Sequence, residues 1–212
     1  MLPRALSLLV LGSLAVAKGD PLSYLPDSTM GLKIQSTCSS PNQLGYFFPG
    51  GLLDNFPPGW REDLTRKWFS RHLHAMEEPS MYCEGTPTET YRVLSLPSFD
   101  RPVAVRVFRQ GEGGRLVAVE LNGQGGYRPG WPARRIDRLM PAQEWAAFKS
   151  ALQRSDFWHQ PIQDPLPGGR DGSELVLEGR ARGRYYVVER WGQHYFATQE
   201  VAELLLRAAG MY

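Results

Sequence analysis

Four residues in the last third of the chain have side chains suited to hydrolysis: His159, which follows Phe157-Trp158, and Asp171, Glu174 and Glu178 in the stretch DGSELVLEG. Two carboxyls flanking a bond, or a carboxyl beside an imidazole, can divide the work of acid and base. That chemistry needs a shared cleft, and the sequence also gives these residues structural roles. Asp171-Gly172 is a strong turn dipeptide, because Asp bonds its own backbone and Gly accepts a positive φ. Leu175 and Leu177 alternate with Val176 and Glu178 as in a half-buried strand. Gly179 to Gly183 allows a hairpin with three residues between the glycines, which sets Glu178 opposite Arg184 as a cross-strand charge pair. His159 falls where a helix ends, a place that favours positive charge. The hairpin reading outweighs the catalytic one.

Other chemistries find less support. Gly-x-Ser-x-Gly, the phosphate-binding Gly-x-x-x-x-Gly-Lys-Ser/Thr and the dinucleotide Gly-x-Gly-x-x-Gly are absent, so no nucleotide or other cofactor is implied. His72 and His74 stand two apart on a helix and point about 200° apart. His74 and Glu78 form a half-site at best, and no histidine has ligand spacing with the cysteines, so no metal site is expected. Binding has better candidates. Phe47 and Phe48 lie in PNQLGYFFPGGLLDNFPPGW, where eight of twenty residues are Pro or Gly, so the aromatics sit on irregular chain. Tyr185, Tyr186, Trp191, Tyr195 and Phe196 crowd one strand and its exit. Strand alternation does not place them all on one face, so some could line a groove. The plainer reading is that helix and N-terminal arm cover both faces.

The elements that must position these residues follow from periodicity. REDLTRKWFSRHLHAMEEPS has apolar residues near helical spacing and stops at Pro79. ETYRVLSLPS, PVAVRVFRQ and RLVAVELNG are strands of an antiparallel meander, with GEGG joining the last two. NGQGGYRPGWP is a long turn, and RRIDRLM is short enough for a brief strand. PAQEWAAFKSALQRSDFW is a second helix, with Trp145, Phe148 and Leu152 on one face and Pro141 in its first turn. TQEVAELLLRAAG is a third, capped by Thr198 and ended by Gly210. Strands in consecutive hairpins, with helices before, between and after, give an α+β fold: three main helices on an antiparallel sheet of five to six strands.

The first 17 residues read as a secretory signal, with Arg4, an apolar run from Ala5 to Leu14, and Ala15-Val16-Ala17 before the cut. The run is too short for a membrane span, which needs about 20 residues, so no stable membrane insertion follows cleavage. Residues 18–60 then form an irregular arm and 61–212 one α+β domain. Of the 24 basic and 22 acidic residues the signal carries only Arg4, which leaves 23 against 22. So balanced a charge argues against nucleic acid as a partner. Export to the periplasm or the medium makes a Cys38–Cys83 disulfide the expected state of the two cysteines. It would close a loop of about 45 residues, for roughly 4 kcal/mol.

Several short motifs occur in a recognisable order: EPSMY at 78–82, YR at 91–92, NGQGGY at 122–127, FW at 157–158, DGSELVLEG at 171–179 and YYVVERW at 185–191. In this order they resemble a family of uncharacterised exported bacterial proteins, over roughly residues 67 to 210. Leu175 stands where that family's strand carries Trp, and Gly192 where Ser-Pro follows the RW pair. The resemblance implies an envelope or secreted location and no catalytic residues. The reading that follows is an exported, non-enzymatic module that binds another envelope or secreted protein. A hydrolase of envelope glycan or peptide, using some of Asp171, Glu174, Glu178 and His159, is the alternative, and an envelope structural protein the third.

Overall fold

A computed structural model describes residues 24–26, 31–33, 47–50, 52–53, 64–83, 87, 89–163, 171–192 and 196–211. Among these residues seven strands form one antiparallel sheet in the order β1-β7-β6-β2-β3-β4-β5. They are β1 (Leu32–Lys33), β2 (Thr90–Pro97), β3 (Val103–Gln110), β4 (Gly113–Leu121), β5 (Pro132–Met140), β6 (Ser173–Ala181) and β7 (Arg184–Trp191). Among the described residues the helices are α1 (Leu64–Ala75), α2 (Ala142–Arg154) and α3 (Phe196–Ala208), with a 3₁₀ turn at Phe157–His159. The α+β class is as expected from the sequence, with seven strands in place of five to six.

The meander β2–β3–β4 forms because alternate residues feed two cores. On one face Tyr91, Val93, Val105, Val107, Leu116, Ala118, Leu177 and Val188 pack against Trp145, Phe148 and Leu152 of α2 and Val201 and Leu205 of α3. On the other, Leu94, Leu96, Ala104, Val119, Val176 and Val187 meet Phe69 and Leu73 of α1, with Phe47, Phe48 and Leu53 of the arm. A sheet covered on both faces yields the nearly continuous apolar strands seen in the sequence.

Three local details differ from expectation. β5 runs nine residues, although most of its side chains are exposed. The β6–β7 hairpin turns through Arg182 and Gly183, with Ala181 facing Arg184. Both turn residues have positive φ (49° and 72°), the condition of a two-residue type I′ turn. Glu178 therefore faces Val187, not Arg184. Thr198 does not cap α3, which starts at Phe196; its hydroxyl donates to Gln160 Oε1 at 2.9 Å. The signal segment and Cys38, and with it the expected disulfide, lie outside the described residues.

Candidate functional site

The four hydrolytic candidates do not converge. Asp171 is exposed in the bend before β6. Glu174 and Glu178 lie on one face of β6, four residues and so about 13 Å apart along the strand. His159 is exposed, and its Nδ1 lies 2.7 Å from Asp156 Oδ1. It ends the 3₁₀ turn whose Phe157 and Trp158 pack into the α2–α3 core. Glu178 touches Tyr185 of the other core. The sheet thus stands between His159 and Glu178, and no shared cleft joins them.

Glu178 instead belongs to a buried ionic cluster. β2 lies between β6 and β3, and the register sets Arg92 beside both Glu178 and Arg106. Arg92 Nε donates to Glu178 Oε2 at 2.7 Å, and Tyr185 donates its hydroxyl to Glu178 Oε1 at 2.8 Å. Glu78 arrives from beyond α1. The helix ends with Glu77 in the left-handed region, Glu78 N–H bonding Leu73 O and Glu77 N–H bonding His74 O, a Schellman cap. Glu78 Oε2 then accepts from Arg106 Nε at 2.8 Å and Arg92 Nη1 at 3.3 Å, while Arg92 Nη1 also donates to Pro79 O at 2.7 Å. The Phe47 ring centroid lies 5.9 Å from the Arg92 guanidinium. Arg92 and Glu178 are completely buried.

Burial opposes charge on Arg92, but Glu178 and Glu78 outweigh it and its pKa is raised. Burial likewise pushes the Glu178 carboxyl up, against the pull of Arg92 and the Tyr185 hydroxyl. Two guanidiniums against two carboxylates leave the cluster neutral. Its side chains answer one another, so it fixes strand register and the seat of α1 and offers no group to a substrate.

A second buried group lies across the sheet. Lys149 of α2 donates to Glu89 Oε1 at 2.6 Å, to the Tyr24 carbonyl at 2.8 Å and to the Tyr91 hydroxyl at 3.1 Å. Burial lowers its pKa, with Glu89 opposing. All three ammonium protons have acceptors, and the acceptor from Tyr24 makes the N-terminal arm part of this core. His72, placed on a helix by the sequence, is buried, its Nδ1 2.9 Å from the Trp68 carbonyl.

The binding candidates named from sequence are mostly interior. Phe47, Phe48 and Tyr185 are core residues, which overturns a surface role for their rings. Tyr186 is half-buried, packed on Phe157 and bonded through its hydroxyl to Gln160 O. Trp191 is half-buried against Gly172. Tyr195 and the Phe196 side chain lie outside the described residues.

Among the described residues, the exposed aromatics are elsewhere. Phe99 in the β2–β3 turn, and Tyr127 and Trp131 in the β4–β5 loop, are 60%, 57% and 71% exposed. The Phe99 and Tyr127 rings lie 6.1 Å apart with 34° between their planes. The loop folds onto the turn through Gly125 N–H to Asp100 O (3.0 Å) and Gly126 N–H to Ser98 O (3.2 Å). Its own rungs join Asn122 to Trp131, Gly123 to Pro129 and Gln124 to Arg128. Trp68 of α1 donates its indole N–H to Gly125 O at 2.9 Å. A Cβ on Gly125 would stand 2.5 Å from Leu96 C and Pro97 O, so only glycine permits this approach. The signal was present in GYRPGW, two aromatics held in glycine and proline where a core strand has no room, but the stretch reads from sequence simply as a turn.

Neither a family model nor a curated protein matches this chain. Among the described residues, no helix is long and apolar enough to cross a membrane. Glu78, Arg92, Glu178 and Tyr185, from the stretches EPSMY, YR, DGSELVLEG and YYVVERW, meet in the ionic cluster, and Tyr127 of NGQGGY lies at the exposed tip.

Proposed function

We propose that this protein is an exported, non-enzymatic binding module whose contact surface is the tip formed by Phe99, Tyr127 and Trp131. One observation carries the reading. The well-placed ionisable groups answer each other inside the protein, while three large aromatics are held in solvent, Tyr127 and Trp131 by a loop with a dense backbone hydrogen-bond pattern and Phe99 by the turn it folds onto. Exposed apolar clusters on soluble proteins mark interaction sites, and a rigid one loses little entropy on binding. Export rests on the signal-like first 17 residues, and with it the proposed Cys38–Cys83 pairing. Under denaturing, non-reducing conditions both cysteines would resist alkylation, and ready labelling of either would remove that part.

Affinity capture tests the reading. The immobilised protein is exposed to envelope and secreted fractions of its host beside the variant Phe99→Ala/Tyr127→Ala/Trp131→Ala, and beside Glu178→Gln as a control in the ionic cluster. Retention lost in the triple variant and kept in Glu178→Gln is the expected result. Retention that survives loss of all three aromatics would overturn the proposal, as would turnover of envelope glycan or peptide abolished by Glu178→Gln in protein that circular dichroism shows to be folded.

A further inference from the structure

Resting on that reading, we infer that the tip binds the uncharged sugar rings of a glycan rather than the protein partner expected from sequence. Area is the first reason. Fully covered, aromatic side chains bury about 150–250 Å² each, so at the observed exposures the three offer roughly 400 Å² together. A stable protein interface takes about 800 Å² from each partner, and its core is poor in charge. Here the surround is charged, with Asp100, Arg101 and Arg128 exposed, so the apolar patch does not extend.

Charge is the second reason. Arg101 Nη1 is paired with Glu120 Oε1 at 2.5 Å, and Asp100 offsets Arg128. Exposed Asp171 adjoins this turn through the Ser98–Gly172 bonds, so the described charges around the tip carry no positive excess and have no purchase on a polyanion or an anionic membrane. The residues that remain are aromatic faces fringed by planar polar side chains, Asp100, Gln124 and Arg128. A sugar ring presents the complement, an apolar C–H face and a rim of hydroxyls.

Rigidity is the third. Hydroxyls leave water readily only for groups already in place, and the backbone bonds of residues 122–131 hold Tyr127 and Trp131 before any ligand arrives. Tyr127 sits at the turn of this loop and Trp131 at its base.

The test is calorimetric titration of the full-length protein with cellohexaose, chitohexaose, maltohexaose and mannohexaose, and with phosphatidylcholine vesicles. Saturable binding of one oligosaccharide series is expected, with Kd of about 10⁻⁵–10⁻³ M. Trp131→Ala and Tyr127→Ala should each weaken it at least about tenfold, while Trp131→Phe, which keeps an aromatic face, retains most of the affinity. Melting temperature is followed in each variant, since Trp131 and Tyr127 are mostly exposed and their loss should leave it unchanged. No saturable heat from any oligosaccharide, or equal binding by the alanine variants, overturns the inference. If vesicles or captured proteins bind through the three aromatics instead, the binding-module reading stands and the glycan falls. If the triple variant loses nothing, both fall.

Discussion

Arg92 shows most sharply how a residue that looks like chemistry can be structural. Its guanidinium is wholly buried between Glu78 and Glu178, and removing one partner of a buried pair leaves the others uncompensated. Arg92→Met is expected to cost about 3–5 kcal/mol of stability, measured by denaturant unfolding. A loss below 1 kcal/mol would mean that the carboxylates take up protons or water at little cost. His72 gives a pH effect with a defined sign. Burial lowers its pKa from 6.5, so below that pH the unfolded chain binds the proton more readily and stability falls. Stability should be complete above about pH 6.5, decline as pH drops through that value, and lose this part of its slope in His72→Gln. Melting temperatures between pH 7.5 and 5.5 measure it; an unchanged slope in the variant would assign the effect to another group. Neither role was legible in the sequence. A polar residue in an alternating strand reads as solvent-facing until the second layer, here α1 and the arm, is known to cover that face.

At the scale of elements, legibility followed burial. β2, β3 and β4 were readable because their apolar residues are continuous, and α2 because Trp145, Phe148 and Leu152 share one buried face. β5 was underread because Arg134, Arg135, Asp137 and Arg138 interrupt it. As an edge strand it carries charges that discourage further pairing, and Arg138 and Arg134 reach back to the carbonyls of Ala208 and Gly210. β1 was missed because two residues carry no period. The hairpin register slipped because Gly179 looks like a turn glycine. Its actual role is packing: a Cβ there would overlap the Phe157 ring. The end of α1 carries a prediction at this scale. Glu77 occupies a left-handed cap position, φ 57°, that glycine fills without strain. Glu77→Gly should therefore stabilise the protein by roughly 0.5–1 kcal/mol in denaturant unfolding. Destabilisation would show that the Glu77 side chain contributes more than its backbone strain costs.

Across the whole molecule, the sheet separates two ionic centres that stabilise it, Arg92 with its carboxylates on one face and Lys149 with Glu89 on the other. Among the described residues, the exposed aromatics gather at the β2–β3 and β4–β5 end. The fold class was legible from sequence because alternation and helical spacing are local. The tip was not, because it is assembled from turns that only the folded sheet brings together. The division of labour predicts where a ligand leaves its mark. The measurement that tests it most directly is amide hydrogen exchange on the protein with and without the material it retains from envelope or secreted fractions. The account predicts slowed exchange confined to residues 98–102 and 122–131, with the segments around Arg92, Glu178 and Lys149 unchanged. Protection centred on residues 78–83 and 176–180, with the tip unaffected, would contradict it and return function to the ionic cluster.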